Sequence, residues 1–391
     1  MTRDEAQEYC VDVWLVSNRK GTLHLSTGFG KSKVTIDILT ALYEDGTLDE
    51  NSKVLLLSNS EDLRDKNWKD DFEKWGKSDI YNKLDSQCYQ TVYKWKDKKY
   101  DFVIADELDY ALTEAYSEVF FNNSFGMVLG LTGTIFGDDK IELLNKIAPV
   151  VVKIDLNTAQ SMGILNKVNA VFVKYYLSNE KNIEVPAKNQ KFFTSENAQY
   201  AYYVNKVSSL MVEKSMTWIK EEKAKIDKKI TFVTRNRANL LYRSSSTIKT
   251  TKQLLIKLLS KKVAVFSMYT DIADLLARNS YHSKNKQLNN LERFQNGEIR
   301  LLSICKAVDR GVNIPGLNTI VLSTFNSSKT RLHQIVGRGC RLKPEEYLTL
   351  YIMLPYYIDV KTSTVKATRQ VEWAREAVKG FKFNSMEVIN L

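Results

Sequence analysis

Histidine is nearly missing from the chain, three residues in 391, and the four cysteines (Cys10, Cys88, Cys305 and Cys340) include no Cys-x-x-Cys pair. That scarcity argues against a structural zinc site or a disulfide framework and for a reducing interior. No apolar run approaches the length needed to cross a bilayer, so no membrane contact is expected. The opening stretch MTRDEAQEYC carries acids and lacks the apolar segment of a secretory leader, which sets a cytoplasmic expectation. Short-period repeats and low-complexity tails are absent too. What is present is an ordinary globular composition, 43% apolar and 26% charged, on a chain long enough for two or three domains. Lysine and arginine number 57 against 46 acids, a net charge of +11 with a pI near 9.1. Such an excess suits a polyanionic partner such as nucleic acid, although a basic surface also serves solubility alone.

Hydrophobic patterning divides the chain. LHL (23–25), KVLLLS (53–58), DFVIAD (101–106) and GMVLGLTGT (126–134) are near-continuous apolar runs bounded by polar turns, the pattern of parallel strands covered on both faces. Between them Leu63, Trp68, Phe72 and Trp75 recur at helical spacing. An α/β doubly wound domain is expected over 1–152. Tyrosines and then lysines crowd the next segment, and 153–247 reads as a helical linker or insert, with its Lys220–Lys229 run as a solvated helix face. Hydroxyls in RSSSTIKTTKQLLIKLL (243–259) cap an apolar helix. Strand-like runs return at 262–267, 299–304, 318–323 and 348–354, giving a second α/β domain over 248–360, and TRQVEWAREAVKGF supplies a closing helix within 361–391. The fold class expected is α/β, with two tandem doubly wound parallel-sheet domains joined by a helical segment.

Three stretches carry chemistry. In STGFGKS (26–32), Gly28 and Gly30 let backbone N–H groups face an anion at a helix N-terminus, Lys31 reaches terminal phosphates, and the Ser32 hydroxyl can ligate Mg²⁺. The full P-loop pattern wants a glycine where Leu25 stands. In FVIADELD (102–109), Asp106 and Glu107 follow a buried strand, where acids suit Mg²⁺ coordination and polarisation of an attacking water; the alternative is that they cap the next helix, but two acids after four apolar residues downstream of a P-loop are a rarer coincidence. In HQIVGRGCR (333–341), Gln334, Arg338 and Arg341 flank Gly337, with two guanidinium groups one helical turn apart. Planar, permanently charged forks suit a γ-phosphate, or else form surface salt bridges.

In order, STGFGKS, DELD, LTGT, SICKAVDRGVNIPG and HQIVGRGCR resemble the motifs of the superfamily 2 helicases and translocases, and the resemblance spans both α/β units. It extends to LLSNSEDLRDKNWKDDFEKW, to QCYQTVYKW, and to VAVFS with the segment 281–302. The family's fold would be two RecA-like domains, and its cofactors ATP and Mg²⁺. Thr27, Gly28, Gly30, Lys31 and Ser32 would then bind the triphosphate, with Ser32 and Asp106 on the metal and Glu107 activating water. Gln334 would order that water, and Arg338 and Arg341 would act as arginine fingers from the second domain. Asp309 and Gly311 would touch the nucleotide, Gln7 would read adenine, and Asp109, Thr132 and Thr134 would couple hydrolysis to movement. Asn59, Tyr89, Gln90, Ser283, Ser303 and Lys306 would hold a strand by its backbone. The chain departs from the family pattern in the leucine of D-E-L-D, in Thr-Gly-Thr for Ser/Thr-Ala-Thr, and in a motif Ia without proline.

The resemblance runs nearest to phage branch-migration helicases and to translocase subunits of restriction enzymes. It implies an ATP-dependent motor on single-stranded or branched DNA, with RNA as the alternative track, working in the cytoplasm of a bacterium or a phage-infected host. Recombination, repair or fork processing within a larger assembly would be its setting. Two rivals stand beside it: a translocase or annealing motor that does not unwind, and a nucleotide-gated clamp that does not hydrolyse.

Overall fold

The computed structural model describes residues 1–61, 63–133, 137–186, 191–285, 289–305, 314, 316–326, 328–340, 346–359 and 362–391. The expected roles of Thr134, Lys306, Asp309, Gly311 and Arg341 fall outside these residues. The chain divides into two compact units: Met1–Asn166 with the described residues of 330–345, and most of the remainder from Lys167 onward.

The first unit is built on a parallel sheet of β1 (Lys20–Leu25), β2 (Val54–Ser58), β3 (Leu84–Cys88), β4 (Lys99–Ala105), β5 (Ser124–Thr132) and β6 (Val150–Ile154), in the order β3-β2-β4-β5-β1-β6. Every residue of β2 is buried, as a strand covered on both faces requires. The order places β5 between β4 and β1, with Ala105 beside Gly130 and His24 beside Thr132. Adjacent strands lie about 4.8 Å apart, so the turns leaving β1, β4 and β5 emerge side by side. In an open α/β sheet this carboxyl edge is where ligands bind.

The second unit holds β7 (Val168–Tyr176), β10 (Val263–Ser267), β11 (Ser280–Tyr281), β12 (Leu301–Cys305), β13 (Thr319–Leu322), β14 (Leu348–Ile358) and β16 (Ser385–Asn390), parallel in the order β11-β12-β10-β13-β14-β7-β16, with β15 (Val365–Ala367) antiparallel on β14. The segment expected as a helical linker is therefore only partly helical. It supplies β7, which pairs with β14 from Val168 to Tyr176, and a two-stranded hairpin of β8 (Lys181–Pro186) and β9 (Lys191–Ser195). Its helices, Glu196–Met216 and Lys220–Arg243, pack against each other as a hairpin. The closing helix is Arg369–Val378, and the chain continues beyond it into β16. No helix among the described residues is long and apolar enough to cross a membrane.

One carboxylate ties the helical hairpin to the rest of the second unit. Glu196, buried, accepts from the backbone N–H of Ser178, Ser245 and Ser246 and from the hydroxyls of Ser245 and Ser246. It therefore sits at the N-terminus of its own helix and at that of the helix Ser245–Lys257, where the positive ends of two helix dipoles favour an anion.

Candidate nucleotide site

The turn after β1 is shaped by two glycines in the left-handed region, Gly28 (φ 95°) and Gly30 (φ 106°). The helix Lys31–Glu44 begins directly after it with no side chain capping its N-terminus. A Cβ on Gly30 would lie 2.3 Å from Nε2 of Gln7, whose amide donates to the carbonyl of Phe29 at 2.9 Å. Gln7 thus braces the turn from the N-terminal helix Arg3–Val16. The buried hydroxyl of Ser26 has no hydrogen-bond partner among the described residues.

Lys31 and Glu107 meet across the sheet edge, Nζ to Oε1 at 3.6 Å, both largely buried. Glu107 holds a left-handed backbone conformation (φ 49°, ψ 51°), which costs a non-glycine residue roughly 1–3 kcal/mol and persists where the surroundings impose it. Asp106, buried, accepts from the N–H of Glu107 at 2.9 Å and from the indole of Trp68 at 3.1 Å. Burial first, and then the neighbouring Glu107 carboxylate, push its carboxyl up to about 7, with Lys31 opposing. Two carboxyls beside one ammonium at an uncapped helix N-terminus fit a triphosphate with a divalent cation, whose charges offset both.

The turn after β5 closes on the same place. A Cβ on Gly133 would lie 3.1 Å from the Thr27 hydroxyl and 3.3 Å from Lys31 Nζ, so the glycine of Thr-Gly-Thr makes room for the phosphate turn. Thr132 donates to Asp109 at 3.1 Å, both buried, which joins two of the residues expected to couple hydrolysis to movement. Lys140 adds a bond to the Asp109 carbonyl at 3.1 Å.

The helix Lys329–Gly339 lies between β13 and β14 in sequence, yet its contacts from Thr330 onward place it in the first unit. A Cβ on Gly337 would sit 2.7 Å from Thr27 Cβ and 2.8 Å from its carbonyl oxygen, so only glycine lets the helix touch the phosphate turn. Gln334 and Arg338 are buried on this helix, and Nε2 of Gln334 has no partner among the described residues. The arginine expected from the second domain is thus contributed by the second half of the sequence but packs in the first unit.

The expected strand contacts divide. Gln90 is exposed and donates to the Asn59 carbonyl at 3.0 Å and to the Tyr110 hydroxyl at 2.9 Å. Nδ2 of Asn59 is buried with no partner among the described residues. Tyr89, in contrast, is fully buried and donates to the Asp106 carbonyl at 3.0 Å. Its side chain has no surface for a strand and supports the acid turn instead, because the ring fills the apolar layer under β2 and β4. Ser303 is likewise fully buried within β12, whereas Ser283 is exposed in the turn after β11. Local sequence pattern assigns no site role to Trp68 or Gly133. The aromatic spacing around Trp68 marked a helix, and the glycine marked a departure; only the fold brings either to the site.

A model of the type III restriction enzyme res subunit matches residues 1–91, and a model of the helicase conserved C-terminal domain matches residues 213–343. The DNA 3'-5' translocase XPB2 of Sulfurisphaera tokodaii is 22% identical over 379 residues, 91% of this chain and 82% of that protein. An HsdR-subunit fragment of a type I restriction enzyme from Vibrio vulnificus superposes with a TM-score of 0.58 at 16% identity, over all of this chain and 68% of that one. The Pyrococcus furiosus Hef helicase domain superposes with a TM-score of 0.54 at 14% identity, over 96% of this chain and 98% of that one. With these family models in tandem on a fold of two parallel sheets, the chain belongs to the superfamily 2 helicases and translocases, enzymes that hydrolyse ATP.

Proposed function

We propose that the chain is a DNA-stimulated ATPase that moves along, and unwinds or remodels, single-stranded or branched DNA. One observation carries this reading: Lys31, Glu107, Gly133 and the Gly337 helix all converge on Thr27 and the phosphate turn. The name of the archaeal relative specifies DNA, and the excess of basic residues suits such a track. Ser32 and Asp106 would hold Mg²⁺, which when bound supplies neutralisation of the phosphate oxygens. Lys31 neutralises the triphosphate directly. Glu107 takes the proton of the attacking water as the bond from the γ-phosphorus to the ADP oxygen breaks, and Gln334 and Arg338 hold the departing phosphoryl group. Chain enters and leaves the arginine helix from β13 and β14 of the second sheet. Loss of the γ-phosphate therefore frees an element covalently tied to the second unit, and alternation of that tie is the proposed stroke. Recombination, repair or fork processing in a larger assembly is the narrower setting proposed.

The test is ATPase rate against single-stranded, duplex and branched DNA and RNA. DNA should raise the rate many-fold; stimulation by RNA alone overturns the DNA assignment, and no stimulation by any polynucleotide overturns the motor. Lys31→Ala and Glu107→Gln should abolish turnover while leaving strand binding measurable, and undiminished turnover in both would remove the site.

A further inference from the structure

The helical hairpin ends in a turn that exposes what a soluble protein ordinarily covers. Met216, Trp218 and Ile219 stand within four consecutive positions, and Trp218 is 92% exposed. Large apolar side chains exposed together, rather than singly, mark an interaction surface. Behind the turn, the two helices enclose a groove of about 450 Å³ lined by Leu210 and Phe232 and by Lys206, Lys228 and Lys229, with Glu213 the one acid on its lining. Phe232 is itself 66% exposed.

We infer that this end of the hairpin binds the open end of a nucleic-acid duplex, where single strand meets double strand; the inference rests on the DNA reading above. Protein interfaces are depleted in lysine, so the lysines lining the groove beside these apolar side chains favour a polyanionic partner over a protein face. An indole is the right size to stack on one terminal base pair, and stacking tolerates any sequence. Lys206, Lys228 and Lys229 outnumber Glu213 on the groove and supply the complementary charge, with Glu221 and Glu222 opposing from the first turn of the second helix. From Lys220, at the start of the second helix, to Lys228 is about 12 Å along the axis, close to three or four phosphates at the roughly 3.4 Å spacing of one duplex strand. Indole on the base pair and ammonium groups on the flanking phosphates together recognise a junction by shape and charge.

The experiment uses the full chain with a tailed duplex carrying 2-aminopurine at the junction base pair and, separately, the single strand alone. Trp218→Ala should weaken the tailed duplex about tenfold, the scale of one lost base stack, and abolish the change in 2-aminopurine fluorescence. Single-strand-stimulated ATPase should stay unchanged, and Trp218→Phe should restore most of the affinity. Lys228→Glu with Lys229→Glu should lower the slope of log affinity on log salt by about two. A Trp218→Ala chain that binds the tailed duplex like the parent overturns the inference. So does a Trp218→Ala chain that loses self-association in sedimentation, because the turn then meets a second copy. If no DNA, whether single-stranded, duplex or branched, stimulates the parent's ATPase, it is the DNA reading that fails, and that outcome is read independently of Trp218.

Discussion

Arg338 and His24 illustrate how a buried ionisable side chain can serve chemistry or tax stability. Arg338 is buried on the helix that abuts Thr27, and in the mechanism proposed above its guanidinium would act on charge that develops only as the phosphoryl group departs. Arg338→Ala should keep ATP affinity within a few-fold and slow single-turnover hydrolysis by about 10³-fold or more. His24 lies in β1, where burial, and after it the Lys153 ammonium, push its imidazole down to about 4. Unfolded, the same ring titrates near 6.5, so between these values the unfolded chain holds more protons and folding weakens as pH falls. The loss should reach roughly 3 kcal/mol below both values. In His24→Gln this acid-dependent fall, followed as urea midpoints between about pH 7 and pH 4, should flatten.

Elements meet through glycines and one shared carboxylate. A methyl group at Gly337 would press on Thr27 backbone at 2.8 Å, which cannot yield without moving the phosphate turn. Gly337→Ala should therefore cut kcat by tenfold or more while the chain stays folded. Gly133→Ala meets side-chain tips at 3.1 and 3.3 Å and backbone no nearer than 3.7 Å, and should be milder. At the hairpin base, Glu196→Ala removes the carboxylate that the half-buried cluster of Ser178, Ser245 and Ser246 donors shares, a cost of about 2 kcal/mol. The second unit should melt earlier, with nucleotide affinity at Lys31 preserved. Much of this architecture was readable beforehand. β2 and β10, and β4 and β5 from Phe102 and Met127 onward, are near-continuous apolar runs because both their faces are covered. β7 escaped notice because polar residues and tyrosines interrupt it, and β16 because it is an exposed edge strand. The phosphate turn and the acid pair are local in sequence and legible there. The burial of Tyr89, the Trp68 bond to Asp106 and the placement of the Gly337 helix in the first unit all depend on segments distant in sequence meeting, which no local pattern encodes.

At the scale of the molecule, sequence order and spatial order disagree, and the disagreement has a consequence for how the chain is made. β7 is flanked only by β14 and β16, so it leaves the ribosome well over a hundred residues before either neighbour exists. At about 5–20 residues per second it waits on the order of 10–35 s with both edges bare. During synthesis this strand, Val168–Tyr176, is the place where a chaperone has most to protect and where nascent copies on one messenger are most exposed to pairing with each other.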